Sequence, residues 1–149
     1  MNEKPETIAS AHGLPFTDKA RHAIERANRV RERLGHKWLS GEHLLLGMTE
    51  GECLANHVLG RAGIDHARVA GRIRQVLAIL EPAQLPQGTK VVELAVESAK
   101  EMGNDYIGTE HLLLGLIKER NGLAGAILRE TLTTESLLAT IRACHITAQ

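Results

Sequence analysis

Apolar residues recur at spacings of three and four along most of the chain, which is the period expected of amphipathic helices. The first such stripe lies between Thr17, a residue type favoured at helix N-caps, and Gly35, placed where a glycine commonly ends a helix. Its apolar members are Ala20, Ala23, Ile24, Ala27, Val30 and Leu34. The pattern therefore predicts one long helix between Thr17 and Gly35.

Three shorter apolar patterns follow this helix. They predict a helix from about Glu42 to Met48, another over about Cys53 to Leu59, and a fourth that begins at Asp65. Ile64 and Val69 flank Asp65 with the spacing of a hydrophobic staple, which supports a helix start at that position.

The same pattern then occurs a second time. The stretch EPAQLPQG at residues 81–88 contains two prolines and a glycine, interrupts the periodicity and is predicted to be a linker. The nine residues SGEHLLLGM that begin at Ser40 recur, 68 positions later, as GTEHLLLGL beginning at Gly108. The apolar stripe of the first helix recurs with the same offset, from Val91 to Met102. The chain is therefore predicted to be a tandem repeat with four helices per copy.

These patterns together predict an all-α fold, in which two pseudo-symmetric four-helix repeats form one eight-helix bundle. We assign residues 15–80 to the first repeat and residues 89–143 to the second, on either side of the linker. Residues 1–14 are polar and without a period, and they are predicted to be a disordered tail. Residues 144–149 are predicted to be a short C-terminal tail.

Composition narrows the class of protein. The 149 residues are 43% hydrophobic, and 18 Lys and Arg residues balance 18 Asp and Glu residues, which gives no support for nucleic acid or an anionic membrane as the main partner. The polar N-terminus lacks the apolar region of a signal peptide, and no apolar run reaches the roughly 18 residues of a membrane span. Cys53 and Cys144 form no C-x-x-C pair and are predicted to stay thiols in a reducing cytoplasm.

Three segments carry a resemblance to a known family: FTDKA from Phe16, LGHKWLSGEHLLLGM from Leu34, and AVESAKEMGNDYIGTEHLLLGLIKERNGLAGAIL from Ala95. They resemble the double Clp repeat, the N-terminal domain of Clp/Hsp100 unfoldases, and are most similar to the ClpC type. The resemblance covers about Phe16 to Ala143, nearly the whole chain. It implies a module that docks protein substrates and adaptors ahead of ATPase rings, which feed the ClpP protease.

The resemblance does not imply an enzyme. The chain contains no G-x-x-x-x-G-K-[ST] loop, so we predict no ATPase activity, no cofactor and no catalytic residue in it. Two alternatives stay open: the chain is part of a larger unfoldase, or it is a free-standing Clp-repeat protein that acts as an adaptor or accessory subunit. The predicted partners are accordingly protein substrates, adaptor proteins or Clp ATPase and protease subunits.

The resemblance also implies a ligand site. In ClpC-type domains the glutamate of each Gly-Thr-Glu-His element binds phosphoarginine, a mark for degradation, and the matching residues here are Glu42 and Glu110. A carboxylate can accept two hydrogen bonds from a guanidinium group, and N–H groups at a helix N-terminus can hold a phosphate. The alternative is that each glutamate only stabilises the start of its own helix, by about 0.3–1 kcal/mol.

Each copy departs from the family pattern in one place. The first copy has Gly41 where the family has threonine, although its opening threonine is present. The second copy keeps the threonine of the element but has Leu85 at the opening position. We therefore expect the copies to be unequal and a ligand to prefer one of them. The candidate binding residues are Thr17, Ser40, Gly41, Glu42, Gly108, Thr109 and Glu110.

Histidines follow both glutamates and raise the question of a metal site. His43 and His111 occupy matching positions, and His36 lies seven residues before His43. The connection before Gly41 prevents a common helix face, and no carboxylate–histidine set recurs with the spacing of metal ligands. The favoured interpretation is a histidine that packs in the bundle while one ring nitrogen bonds to the backbone. No metal site is predicted.

Two further functions have weaker support. Cys53 near His57 suggests a nucleophile, but the counterpart of Cys53 in the second copy is Gly122, so the repeat does not require a thiol. The basic stretch from Arg26 to Lys37 suggests phosphate contacts, as in a small helical DNA-binding regulator. Glu32 interrupts that stretch and the chain has no net charge, so DNA binding is kept only as the alternative function.

Overall fold

The computed structural model describes residues 10–79 and 88–147. These residues form a minimal two-stranded hairpin and eight α-helices, so the predicted all-α class is confirmed. The elements are β1 Ser10–Ala11, β2 Leu14–Pro15, α1 Asp18–Arg33, α2 Gly41–Thr49, α3 Leu54–Arg61, α4 His66–Ile79, α5 Gly88–Glu101, α6 Thr109–Lys118, α7 Leu123–Arg129 and α8 Thr134–Thr147.

The predicted helix signals have the expected geometry. The hydroxyl oxygen of Thr17 accepts a hydrogen bond from the Ala20 N–H at 3.1 Å, which caps α1. Gly35 follows the last turn of α1 with a φ of 69°, and Gly103 follows α5 with a φ of 73°. This left-handed backbone is easily adopted by glycine, so both long helices end in the same way.

The repeated leucines form the centre of the core. The three leucines of each copy are at most 1% exposed: Leu44, Leu45, Leu46, Leu112, Leu113 and Leu114. Gly47 lets α2 pack against α1, because a Cβ at this position would lie 2.5 Å from the carbonyl oxygen of Ala23. A Cβ at Gly115 would overlap the Val91 carbonyl of α5 in the same way. The repeated glycine is therefore a close-packing residue.

The two repeats are interlocked, because helices of each repeat pack against helices of the other. Helix α2 of the first repeat contacts α7 of the second, and α3 of the first contacts α6 of the second. The connections cross as well: the Thr17 N–H donates to the Ile107 carbonyl at 2.9 Å, and the Gly88 N–H donates to the Leu39 carbonyl at 2.6 Å. Leu39 and Ile107 are matching positions, so the crossing is reciprocal and gives a closed pseudo-twofold pair.

The ends of the chain differ in detail from the prediction. Residues 10–15, assigned mainly to the N-terminal tail, form the β1–β2 hairpin, with His12 and Gly13 at its turn in left-handed backbone. Helix α8 continues to Thr147, into the predicted C-terminal tail. Residues 1–9, most of the predicted linker and residues 148–149 lie outside the described residues. None of the described helices is long and apolar enough to span a membrane.

Candidate functional site

The histidine of each Glu-His pair folds back onto the residue that precedes its helix. The Ser40 N–H donates to His43 Nδ1 at 3.0 Å, and the Gly108 N–H donates to His111 Nδ1 at 2.9 Å. Both histidines are fully buried. Since Nδ1 is the acceptor, each neutral ring carries its proton on Nε2. In the first copy this arrangement is a capping box with histidine as the third helical residue, because the His43 N–H also donates to the Ser40 hydroxyl oxygen at 3.4 Å. In the second copy only the histidine half is present, because Gly108 has no side chain. Both histidines have the packing role that the sequence favoured.

The second ring nitrogens face different partners. His43 Nε2 lies 2.9 Å from His36 Nδ1, whereas His111 Nε2 lies 2.8 Å from Asn104 Oδ1. Burial, followed by the charges of His36 and Arg31, lowers the pKa of His43 to about 4. Burial also lowers the pKa of His111, although the Glu110 charge opposes this shift. Both rings are therefore neutral at pH 7, the state in which Nδ1 can accept from the N-cap N–H.

Glu42 caps a helix of the opposite repeat. Its carboxylate oxygen Oε1 accepts from the Leu123 N–H at 2.6 Å and from the Ala124 N–H at 3.1 Å, and these residues begin α7. The residue before α7 is Gly122, which has no side chain to cap it. Glu42 is fully buried, and its other oxygen, Oε2, has no hydrogen-bond partner among the described residues. The expectation that Glu42 acts on its own helix α2 therefore misses its main contact, which is with α7.

Glu110 occupies the matching position and points elsewhere. Its Oε2 lies 3.0 Å from His145 Nε2 on α8 and 3.5 Å from the Tyr106 hydroxyl group. Burial and the Glu110 charge raise the pKa of Tyr106, which therefore stays a neutral donor. The opposite helix, α3, is capped instead by Thr109, whose hydroxyl oxygen accepts from the Ala55 N–H at 3.0 Å. Each copy therefore caps a helix of the opposite repeat, but the first copy does so with its glutamate and the second with its threonine.

The residue at the N-cap explains why the two carboxylates point in different directions. The carboxylate of Glu110 rests directly over Gly108, where any Cβ would overlap it. The matching residue in the first copy is Ser40, whose Cβ and hydroxyl group occupy that space and whose hydroxyl oxygen lies 2.8 Å from His43 Nδ1. Glycine therefore permits a side-chain position for Glu110 that serine blocks for Glu42. The sequence contains this signal, since Ser40 and Gly108 are one of three differences between the two nine-residue elements.

Gly41 lies in a closely packed position. A Cβ there would lie 3.0 Å from Leu116 Cδ2 and 3.4 Å from Val91 Cγ2, both in the second repeat. The threonine that the family pattern has at this position would therefore need Leu116 to move. Ser40 does not supply the missing hydroxyl group toward an open site, because it is 1% exposed and held by His43. The first copy lacks that donor in the folded structure as well as in sequence.

Thr17 lies beside the element of the second copy. Its N–H bonds to the carbonyl of Ile107, the residue just before Gly108. The sequence assigned Thr17 to the first copy, but the crossing of the repeats pairs it with Gly108, Thr109 and Glu110. The second copy thus has an opening threonine next to it as well as Thr109, whose buried hydroxyl oxygen already accepts from the Ala55 N–H. Leu85 lies outside the described residues.

The remaining candidates from the sequence have ordinary roles. Cys53 donates its thiol to the Met48 carbonyl at 3.5 Å. Its hydrogen bond with His57 is a backbone one at the start of α3, from the His57 N–H to the Cys53 carbonyl at 3.2 Å. Neither Cys53 nor Cys144 forms a disulfide. Within residues 10–79 and 88–147, no group of three or more His, Cys, Asp or Glu side chains is arranged to hold a metal ion.

Fold and site together define a class: an all-α double repeat whose two Glu-His elements lie buried at the interface between the copies. A sequence profile of the Clp repeat (R) N-terminal domain matches residues 15–131. The chain belongs to this family. The match spans both repeats, so the tandem organisation inferred from the sequence is that of the family.

Individual relatives support the assignment. The chain is 35% identical over 119 residues to the negative regulator of genetic competence ClpC/MecB of Bacillus subtilis, and 39% identical over 121 residues to a ClpA homologue of Guillardia theta, an ATP-dependent Clp protease ATP-binding subunit. Each alignment covers 76% of this chain but only 15% of the relative. Since relatives of different Clp types match comparably, the similarity to the ClpC type in particular stays a prediction.

A solved structure shows the same fold. The N-terminal domain of the caseinolytic protease associated chaperone ClpD from Arabidopsis thaliana superimposes with a TM-score of 0.64 at 26% sequence identity. The superposition covers 86% of this chain and 95% of that domain. The described residues therefore have the architecture of a Clp N-terminal domain.

Proposed function

We propose that the chain is a non-catalytic, cytoplasmic protein-binding module of the Clp protease system, which recognises protein substrates or adaptors or docks on Clp subunits. Membership of the Clp N-terminal domain family supports this proposal, as do relatives whose names place them in ATP-dependent Clp proteases. The DNA-binding alternative has less support. Arg31, in the centre of the basic stretch, is turned inward to Asn28 and the His36 carbonyl.

Affinity purification tests the general proposal. The full chain, tagged and expressed in its own host, should recover Clp subunits or a discrete set of client proteins. Recovery of neither would contradict a role in the Clp system. Retention on DNA that weakens steeply with salt would favour the alternative.

The sharper form of the proposal is that the module reads phosphoarginine and does so at the second copy only. The observation that carries it is the difference between the two carboxylates. Glu42 is held by two backbone N–H groups and is 0% exposed, whereas Glu110, which is 3% exposed, contacts two side chains, His145 and Tyr106. The His145 side chain is 27% exposed and can rotate away, so a guanidinium group can take its place on the Glu110 carboxylate.

The same region offers donors for the phosphate. Helix α6 begins at Thr109, and the first N–H groups of a helix have no partner within it. Phosphate groups bind readily at such helix N-termini. Thr17 lies beside this helix start through its backbone bond to Ile107. A cation site on Glu110 and an anion site at the start of α6 are thus adjacent, as a guanidinium with an attached phosphoryl group requires.

Isothermal titration with free phosphoarginine tests this form. We expect one site per chain, with affinity lost in Glu110→Gln and retained in Glu42→Gln. Unmodified arginine is the control ligand and should bind at least roughly tenfold more weakly, because it lacks the charge-assisted bonds to phosphate. No measurable heat with the wild-type chain would exclude phosphoarginine reading without excluding protein docking. Loss of binding in a folded Glu42→Gln variant alone would place the site in the first copy.

A further inference from the structure

A groove on the outer face of α1 contains arginines that the proposed site does not use. Its volume is about 380 Å³, within the range of known ligand sites. Its lining consists of charged side chains from α1 and from the turn after α2: Arg26, Arg29, Glu32, Arg33 and Glu50. The groove lies within the basic stretch that the sequence singled out.

Arg26 is fixed at the base of this groove with donors to spare. Its Nε donates to the Gly47 carbonyl at 2.7 Å. Its guanidinium plane lies against Gly51, where a Cβ would come within 2.7 Å of Nη1. The Nη2 nitrogen is shielded from solvent and has no hydrogen-bond partner among the described residues. A buried N–H group without an acceptor is rare in folded proteins.

Arg29 and Arg33 extend the positive charge along the same face. Positions 26, 29 and 33 are neighbours on one side of a helix and span about 10 Å along its axis. Glu50 pairs with Arg74, outside the groove, at 3.2 Å, whereas Glu25 lies 3.8 Å from Arg29 and partly offsets its charge. Among the described residues, no ion pair neutralises Arg26 or Arg33, and the lining of three arginines and two glutamates carries one net positive charge.

We propose that this groove binds an acidic segment of a partner protein, with carboxylates spaced to reach the exposed Arg29 and Arg33. Guanidinium and carboxylate groups match in geometry and charge. Glu32 and Glu50 in the lining disfavour a nucleic acid, whose phosphates form a continuous negative rail, whereas a peptide can place its carboxylates opposite the arginines alone. The groove takes an anionic group and the Glu110 site a cationic one, so this proposal is independent of phosphoarginine reading.

Fluorescence anisotropy with a labelled peptide of alternating glutamate and serine tests the proposal. The full chain should bind it, and the matched glutamine–serine peptide should not bind. The double variant Arg29→Glu/Arg33→Glu should lose at least roughly tenfold in affinity, since charge reversal adds repulsion to the lost attraction. The double variant Arg61→Glu/Arg68→Glu, on α3 and α4, changes the net charge equally and should retain the affinity within about twofold.

Two further readouts locate the peptide. In the NMR spectrum the Arg26 Nε–H signal should shift on titration with the glutamate peptide. The Glu110→Gln variant should bind the peptide as the wild-type chain does, which separates this groove from the phosphoarginine site. The proposal is overturned if the wild-type chain does not bind the glutamate peptide or binds the glutamine peptide equally well. It is also overturned if the two double variants lose equal affinity, or if Glu110→Gln loses affinity for the glutamate peptide. Displacement of the peptide by duplex DNA at lower concentration would also overturn it, in favour of nucleic acid.

Discussion

The two glutamates of the repeated element have matching positions in sequence and different roles in the fold. Glu42 is withdrawn into the interface between the repeats, where it holds the first amides of α7. Glu110 rests over Gly108 and contacts the side chains of His145 on α8 and Tyr106 just before α6. The comparison shows that an internal repeat preserves backbone positions more faithfully than side-chain partners, because one neighbouring Cβ is enough to redirect a carboxylate.

The largest expected effect concerns stability. Glu42→Ala removes both acceptor contacts of α7 and leaves a cavity, so we expect a loss of about 3 kcal/mol in the free energy of unfolding. Glu110→Ala should cost less than half as much, because its partners lie near solvent. Urea unfolding followed by circular dichroism measures both. A larger loss for Glu110→Ala would reverse the roles assigned to the two copies.

The second prediction concerns pH. The His43 pKa is lowered to about 4 in the folded protein, so the unfolded chain binds more protons below its own pKa of about 6.5. Stability should therefore be complete above pH 6.5 and fall by roughly 2–3 kcal/mol as the pH drops to about 4. His43→Gln keeps a capping-box side chain that does not titrate, so it should flatten this dependence.

The matching substitution His111→Gln is the control for the pH prediction. Because the Glu110 charge opposes the lowering of the His111 pKa, this variant should leave most of the pH dependence in place. Urea midpoints at pH 7 and pH 5 distinguish the two variants. Identical slopes for both would mean that His43 and His111 titrate alike, contrary to this prediction.

A third prediction concerns the hydroxyl cap on α3. Thr109→Ala should cost about 1 kcal/mol, the usual value of a helix cap, because the Ala55 N–H loses its acceptor. Thr109→Ser retains the oxygen and should cost much less. Thermal unfolding of the two variants under one buffer condition compares them. Equal destabilisation would show that the methyl group of Thr109 is what matters.

The smallest expected effect tests the reason for the difference between the copies. Gly108→Ser gives the second copy the N-cap residue of the first, at a stability cost below about 1 kcal/mol because the flexible Glu110 side chain can move. A crystal structure of this variant should show Glu110 displaced from Gly108 and separated from His145. An unchanged Glu110 position would mean that the N-cap residue does not set its direction.

Local features were predictable from the sequence, and features that join the repeats were not. The cap at Thr17, the glycine at position 35 and the folded-back His43 follow from patterns within a few residues. The partner of Glu42 lies 81 residues away in sequence, at Leu123. Assigning Thr17 to the first copy assumed that each repeat completes its own site. Periodicity contains no information about which connection crosses to which helix.

The contact from Glu42 to α7 also bears on how a duplicated chain can diverge. A helix of seven residues with glycine at its N-cap depends on an acceptor that belongs to the other half of the molecule. The second half is therefore incomplete when separated from the first. In return, Thr109 rather than Glu110 caps α3, so the carboxylate of the second half is not needed as a cap and is available to change its ligand.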